Sequence, residues 1–121
     1  MPCLRSGIDM VDISRLEGLH GNIRQRFLER VYSPAELEIT GESDMRLAGR
    51  FAAKEAVAKA LGCGIGPVSW QEIEILNTPA GEPRLHLHGN AQTLALEMGI
   101  EEWSVSISHT AQFAVAIAVA V

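Results

Sequence analysis

Two carboxylates, Asp9 and Glu55, lie in segments whose apolar patterns would place them beside buried side chains. Asp9 shares one side of an alternating stretch with Val11 and Ile13. Glu55 falls at the edge of an apolar helical stripe, where a charge must be paired, protonated or bound to a metal, because an isolated buried charge is costly. Two separated carboxylates can hold Mg²⁺, which prefers oxygen ligands and keeps waters and phosphates in its shell.

Basic side chains accompany these carboxylates, namely Lys59, His109 and a stripe of Arg46, Arg50 and Lys54. Of these, Lys59, His109 and the arginines would bind phosphate oxygens through charge-assisted hydrogen bonds. Together with Mg²⁺ they would suit phosphoryl transfer, in which a protein mostly positions groups and neutralises charge. The residues by themselves therefore indicate a magnesium and phosphate site.

Each of these residues also has an ordinary structural interpretation, which stays open at this point. Glu55 and Lys59 are spaced as a surface helix pair, and Asp9 is compatible with a turn or cap position. His86 and His88 lie on the same side of a predicted strand. A strand pair without a third nearby ligand is better explained as two solvated side chains than as a metal site.

The central predicted element is a helix over residues 46–61, a segment rich in strong helix formers. Its large apolar residues recur at helical spacing, so one side is expected to pack inward. Gly62 ends this helix, and the run 62–66 is better explained as a C-cap than as a phosphate loop, because it lacks the lysine and serine of a nucleotide loop. Ser14 with Glu17 predicts a capping box for a short first helix. The other predicted helices cover residues 23–31, 34–40 and 90–98.

Period-two patterns predict strands before and after these helices. The last strand has large apolar residues on one face and alanines on the other, so it is expected to be buried on both faces. Turn residues over 77–83 join two strands as a hairpin. The predicted strands cover residues 6–13, 68–76, 84–88, 103–109 and 112–121. This order predicts an α+β fold, with helices packed on a mostly antiparallel sheet.

The bulk composition limits the functions that the chain can have. With 121 residues and 47% hydrophobic content, a single domain over residues 1–121 is expected. The formal net charge of −5 argues against a nucleic-acid binder. Polar residues interrupt every apolar run and the N-terminus lacks a signal-peptide core, so no membrane segment is expected. Two cysteines, Cys3 and Cys63, are too few for a disulfide framework, and a reduced cytoplasmic protein is expected.

Three segments in order carry a resemblance to a known family. They are Gly7-Ile8-Asp9-Met10-Val11-Asp12-Ile13-Ser14-Arg15, Arg50-Phe51-Ala52-Ala53-Lys54-Glu55-Ala56 through Lys59-Ala60-Leu61-Gly62, and Ser106-Ile107-Ser108-His109. Together they resemble the holo-acyl-carrier-protein synthases, the small 4′-phosphopantetheinyl transferases. Two departures, Arg5-Ser6 before the first motif and Cys63 after the second, remove no ligand.

The resemblance implies a 4′-phosphopantetheinyl transferase-like fold. It implies transfer of 4′-phosphopantetheine from coenzyme A to a serine of an apo acyl carrier protein, with release of adenosine 3′,5′-bisphosphate. Asp9 and Glu55 would bind Mg²⁺, and Glu55, directly or through a metal-bound water, would be the base for the serine proton. The implied catalytic residues are Asp9, Glu55 and Lys59, and the implied coenzyme A contacts are Arg46, Arg50, Lys59, Gly62 and His109.

The resemblance also gives a role to a basic cluster near the front of the chain, because carrier proteins are acidic. The implied docking residues are Arg15, Arg24, Arg26, Phe27 and Arg30. A local basic patch can steer an acidic partner even on an acidic protein, although a solvated helix face explains the same charges. Members of the family form trimers with active sites between subunits, so a homotrimer is expected.

Two other functions stay open from the sequence. One is a module that binds coenzyme A or a carrier protein without turnover, and the other is a structural subunit. The set of Asp9, Glu55 and Lys59 argues against the first, because a pure binding module does not need a magnesium site.

Overall fold

The computed structural model describes residues 3–121. Five helices, five strands and a short 3-10 turn follow one another along these residues. In chain order they are β1 (Arg5–Asp12), α1 (Ser14–Glu17), α2 (Gly21–Val31), α3 (Pro34–Thr40), α4 (Asp44–Ala60), the 3-10 turn (Trp70–Glu72), β2 (Ile73–Asn77), β3 (Pro83–Leu87), α5 (Gly89–Glu97), β4 (Trp103–His109) and β5 (Phe113–Ala120). The predicted α+β class is confirmed, since helices pack on two antiparallel sheets.

The larger sheet has the strand order β1-β5-β4, and helix α4 packs across one of its faces. Small residues allow this close approach. Ala116 and Ala118 of β5 are at most 1% exposed beneath the helix. Gly7 of β1 touches the helix backbone, because a Cβ built on it would lie 1.9 Å from Ala56 O. The tight packing brings the β1 side chains that face the helix against its C-terminal half.

The alternation predicted for β1 is observed. Val11 and Ile13 are buried with the helix-facing side of the strand, whereas Ile8 and Met10 are 59% and 63% exposed on the other side. Asp9, on the helix-facing side, is half-buried. The strand therefore aims Asp9 at α4.

The expectation that β5 is buried on both faces is wrong for the single chain. Its alanines pack under α4, but Ile117 on the opposite face is 41% exposed and Val115 and Val119 are only half-buried. No element of residues 3–121 covers that face of the sheet. An apolar sheet face therefore remains open.

The hairpin prediction is confirmed, with Ile73 opposite Leu87 and Asn77 opposite Pro83. The predicted first strand, 68–76, is shorter than expected, because residues 70–72 form the 3-10 turn. The Glu72 carboxylate accepts a hydrogen bond from Ser69 N at 2.7 Å, which bends the chain there. The hairpin stands beside α4 as a second, two-stranded sheet.

Local capping agrees with the sequence at α3 and α4 but not at α1. Ser33 caps α3 in a capping box, and Gly62, at φ +76°, follows the end of α4. The predicted Ser14 cap is wrong, since Ser14 is already helical and its N–H donates to Asp12 Oδ1 at 2.9 Å. An aspartate two residues earlier thus supplies the oxygen expected from Ser14.

Helix α4 is buried over more of its surface than its apolar stripe predicts. The sheet covers one side, and α3 with the hairpin covers another. Its 17 residues include eleven buried ones, so it forms the centre of the core. Among residues 3–121, no helix has the length and apolar character needed to cross a membrane.

Candidate active site

Strand β1 and the last turn of α4 bring Asp9 and Lys59 together. Asp9 Oδ1 lies 3.2 Å from Lys59 Nζ, which also donates to Ile8 O at 2.8 Å. The Lys59 side chain is 52% exposed and that of Asp9 is 20% exposed. Lys59 therefore makes its ion pair across two elements, with Asp9, rather than along the helix with Glu55.

Glu55 lies one turn before Lys59, half-buried and beside Asp9. Burial raises the pKa of the Glu55 carboxyl, and the charge of Asp9 raises it further, while Lys59 and Arg15 act in the opposite direction. Within residues 3–121 no hydrogen-bond donor reaches this carboxylate. Glu55 is thus an under-compensated acid with a raised pKa, the condition in which a carboxylate accepts a proton or a cation.

The carboxylates of Asp9 and Glu55 fit a magnesium ion that takes most of its ligands from water and from substrate phosphates. Among residues 3–121 no three His, Cys, Asp or Glu side chains are arranged to hold a metal. Asp9 and Glu55 offer carboxylate oxygens whose mutual repulsion a cation would relieve. Mg²⁺ usually uses one or two carboxylates and completes its shell with waters and substrate phosphates.

A second positive site lies toward the N-terminal half of α4. A cleft of about 440 Å³ is lined by Ile39, Met45, Arg46, Gly49, Arg50, Asn77, Gly81, Pro83, Ile107 and His109. Arg50 Nη2 donates to Asn77 Oδ1 at 2.7 Å, and the buried Arg50 Nε has no partner among residues 3–121. Burial and the neighbouring charge of Arg46 lower the pKa of Arg50, although Glu36 and Tyr32 oppose the shift. A bound anion would accept a hydrogen bond from Arg50 Nε and would supply negative charge beside Arg46 and Arg50.

The structure does not join these two clusters within one chain. Asp9 and its neighbour Val11 lie on β1, whereas His109 lies on β4, with β5 between them. Val11 pairs with Ala114, which pairs with His109, so two strand spacings of about 4.8 Å each separate the backbones. The predicted coenzyme A contact His109 therefore shares its cleft with Arg46 and Arg50, not with Asp9 and Glu55.

Lys54 does not belong to the basic stripe that the sequence suggests. Its side chain is 0% exposed, and its ammonium donates to Glu36 Oε1 at 2.8 Å, Trp70 O at 2.9 Å and Ile73 O at 2.6 Å. Burial lowers the pKa of Lys54, and the Glu36 charge opposes that shift. Lys54 is therefore a structural cation that ties α4 to α3 and the hairpin.

Of the arginines in the predicted docking cluster, one makes contacts within the protein and others are exposed to solvent. Arg24 donates to Leu16 O at 3.0 Å and lies 2.8 Å from Asp44 Oδ1, an ion pair without hydrogen-bond geometry. Arg26 and Arg30 are exposed on α2. Arg24 thus fastens α2 to the start of α4, and the exposed positive charge comes from the other arginines.

An apolar cavity of about 260 Å³ opens between α1, α2 and α4. It is lined by Val11, Arg15, Leu16, Leu19, Phe27 and Phe51. Phe27 stacks on Phe51 with ring centroids 6.0 Å apart, and the Arg15 guanidinium lies 5.6 Å from the Phe51 centroid. Phe51 lies one turn before Glu55 on α4, so this cavity adjoins the carboxylate cluster.

Two other sequence candidates have simple surroundings. Gly62 is exposed just beyond the Lys59 turn, where its positive φ reverses the chain. His88 lies one residue beyond β3, and its half-exposed ring has Nε2 3.0 Å from Glu74 Oε1.

Sequence reasoning missed Asn77 and the apolar cavity. Asn77 looked like an ordinary turn residue, and only the fold brings its amide to Arg50. The cavity joins residues from four elements, which no local pattern can reveal. Phe27 was predicted as an apolar anchor of the docking face, but no local pattern connects it with Phe51 or with the other lining residues.

Comparisons with known proteins agree with this architecture. The model of the 4′-phosphopantetheinyl transferase superfamily matches residues 5–118. The holo-acyl-carrier-protein synthase of Moorella thermoacetica is 48% identical over 120 residues, which cover 95% of this chain and 91% of the relative. That of Carboxydothermus hydrogenoformans is 48% identical over 117 residues, 94% of each chain.

Solved structures give the same result. The Helicobacter pylori holo-acyl-carrier-protein synthase in complex with coenzyme A aligns with a TM-score of 0.87 and 38% identity, over 96% of this chain and 99% of that one. The Neisseria meningitidis enzyme aligns with a TM-score of 0.86 and 35% identity, over 96% of both chains. The chain therefore belongs to the 4′-phosphopantetheinyl transferase superfamily, as a transferase of the holo-acyl-carrier-protein synthase family.

Proposed function

We propose that residues 1–121 form one domain that transfers 4′-phosphopantetheine from coenzyme A to a serine hydroxyl of an apo acyl carrier protein. The reaction releases adenosine 3′,5′-bisphosphate. The observation that carries the proposal is the placement of two half-buried carboxylates, Asp9 and Glu55, beside Lys59, whose ammonium lies 3.2 Å from Asp9 Oδ1. A carboxylate pair next to a lysine suits a reaction on a pyrophosphate.

Asp9 and Glu55 are the proposed ligands of Mg²⁺. Two hard oxygen donors and the repulsion between them support this assignment. A bound Mg²⁺ would act as a Lewis acid toward the negative charge that develops on the leaving phosphate.

Glu55 is the proposed base for the carrier serine, directly or through a water. Its raised pKa supports this role, because a base works best when its pKa is near the working pH. Lys59 is the proposed phosphate contact. Its half-exposed ammonium can leave Asp9 for a phosphate oxygen when a cation takes over the carboxylate.

The cleft with Arg46, Arg50 and His109 is the proposed site for the nucleotide phosphates of coenzyme A. The unpartnered Nε of Arg50 and the adjacent charge of Arg46 support an anion there. Gly62 is also a proposed contact, because it lies three residues after Lys59. Without a side chain, it could contact the ligand only through its backbone.

The face around the apolar cavity is the proposed docking surface for the acidic carrier protein. Arg15, Arg26 and Arg30 supply exposed positive charge, and Phe27 lines the cavity as an apolar anchor. The contact of Arg15 with Phe51, one turn before Glu55 on α4, supports this choice, because a carrier docked there would present its serine near the proposed base. Arg24 contributes by fastening α2 in place.

A homotrimer is the proposed assembly. Two features of the single chain support it: the open apolar sheet face with Ile8, Met10 and Ile117, and the separation of His109 from the carboxylates. Contact between copies would cover the first and would let one copy supply His109 to the carboxylates of the next. Light scattering in solution tests this assembly, and a monomer at working concentration would contradict it.

The decisive experiment mixes the protein with coenzyme A and an apo carrier protein, with and without Mg²⁺, and follows the intact mass of the carrier. We expect a gain of one phosphopantetheine group only when Mg²⁺ is present, with adenosine bisphosphate released in equal amount. Coenzyme A binding without that release, across several carriers, would instead indicate a binding module.

A further inference from the structure

Three alternate residues of β1 meet the C-terminal half of α4, and Arg5 is the first of them. Arg5 Nε donates to the last carbonyl oxygen of α4 at 2.5 Å. A Cβ on Gly7 would lie 1.9 Å from Ala56 O, so the strand touches the helix backbone there. Asp9 completes the series through its contact with Lys59. The strand is therefore held against the end of the helix at three successive points.

The contact made by Arg5 closes the end of α4. The last carbonyls of a helix have no partner within the helix, and Arg5 supplies one to Ala60 O from a position 55 residues away. A cation is also favoured at this negative end of the helix. A Cβ on Gly62 would lie 3.0 Å from Arg5 Nη2, so the guanidinium also lies against the turn that follows.

Lys59 lies in the turn that Arg5 closes. It is the residue before the last one of α4, and helix ends fray. The Lys59 ammonium ends a long flexible side chain. Its position is therefore defined only if the backbone of the last helical turn is held in place. Asp9 holds the tip of this side chain at 3.2 Å, whereas Arg5 holds the turn from which it starts.

We propose that Arg5 is a positioning residue that fixes the last turn of α4, so that Lys59 meets the phosphates of coenzyme A. The proposal rests on the proposed function, in which Lys59 contacts phosphate. Arg5 itself acts through Lys59 and needs no contact with the substrate.

The test compares Arg5→Leu, which keeps apolar bulk and removes every donor, with Arg5→Lys, which keeps the charge. Arg84→Leu is the matched control, because Arg84 is exposed on β3 and its loss changes the net charge equally. We expect Arg5→Leu to weaken coenzyme A binding in calorimetry by about 3- to 10-fold, the size of one lost hydrogen bond. Arg5→Lys should lose less, and Arg84→Leu should bind as the original protein does.

The same comparison in a Lys59→Ala background separates positioning from a general structural effect. If Arg5 acts through Lys59, Arg5→Leu should cause no further loss of affinity there. An equal loss in both backgrounds, or no loss in either, would overturn the proposal.

Hydrogen exchange without ligand provides a measurement that does not depend on the proposed function. The amides of Leu61 and Gly62 should exchange about tenfold faster in Arg5→Leu, because a lost end contact allows local opening, while amides of α5 stay unchanged. Unchanged or uniformly faster exchange would count against Arg5 as the closing contact. If the original protein bound no coenzyme A, the proposed function would fail. The hydrogen-exchange measurement would still test whether Arg5 holds the last turn of α4.

Discussion

Lys54 and Glu55 are neighbours on one helix, yet the fold treats their charges in opposite ways. The Lys54 ammonium is 0% exposed and has three acceptors, one of them the carboxylate of Glu36. Glu36 in turn accepts from Ser33 N and Ile75 N, each at 2.9 Å. The buried pair is therefore saturated with hydrogen bonds on both sides.

Glu55 has the opposite surroundings. It is half-buried next to another carboxylate, its pKa is raised, and no donor of residues 3–121 reaches it. A folded protein tolerates such a group at a functional site, where a ligand completes its surroundings. Burial alone therefore does not distinguish the charge that we propose to be functional from the structural one, whereas the number of hydrogen-bond partners does.

Removing either carboxylate of the cluster should have the largest effect on activity. We expect Glu55→Ala and Asp9→Ala to slow carrier modification by about 100- to 10,000-fold, the range for loss of an essential acid or base. Unfolding by denaturant should be nearly unchanged, because neither carboxylate is saturated by protein contacts. Glu97→Ala, an exposed position on α5, is the control. Normal turnover in both variants would refute the catalytic assignment.

Removing Lys54 should act on stability instead. We expect Lys54→Met to lower the free energy of unfolding by about 3–5 kcal/mol, because Glu36 would remain as a buried charge without its partner. Lys59→Met should cost less than about 1 kcal/mol, since an exposed pair contributes little. Urea unfolding measures both. The double variant Lys54→Met with Glu36→Gln should recover part of the loss, and equal stability of the two single variants would contradict the distinction.

Changing Gly7 should disturb stability and activity together. A methyl group there meets Ala56 O, so we expect Gly7→Ala to cost about 1–3 kcal/mol as strand and helix move apart. Asp9 moves with the strand, and the carrier assay should slow as well. Gly18→Ala is the control, because its Cβ would meet only Ser14 O, at 3.3 Å. Loss of stability with full activity would show that the site tolerates a shift of β1.

The smallest expected effect is a gain of stability in Glu55→Gln. The raised pKa means that folded Glu55 keeps its proton to higher pH than the unfolded chain, whose value is near 4.5. The contribution of Glu55 to the free energy of unfolding is therefore fully present below pH 4.5, and it is lost as the pH rises through the pKa of the folded state. Glutamine avoids that loss, so thermal unfolding at pH 7 should occur at a higher temperature than in wild type. The difference should vanish near pH 4, and a less stable variant at pH 7 would argue against an under-compensated Glu55.

Local sequence patterns were enough to predict most elements and the direction of several side chains. Periodicity predicted α4 within two residues at its start, and it predicted the hairpin and the buried side of β1 that carries Asp9. These features depend on residues that are close in sequence, because helical and strand periods are local properties of the backbone. The three motifs also identified the family before any contact was visible.

Which charges have partners depends on contacts between segments that are distant in the sequence. Lys54 lies in the sequence stripe of Arg46 and Arg50, yet Glu36, 18 residues away, makes it structural. Lys59 is spaced to pair with Glu55, but β1 brings it Asp9 from 50 residues away. A helical pattern predicts the direction in which a side chain leaves the helix. The partner that it contacts comes from a segment that is distant in the sequence. That is why the sequence supplied Asp9, Glu55 and Lys59 as candidates, and only packing separated them from Lys54.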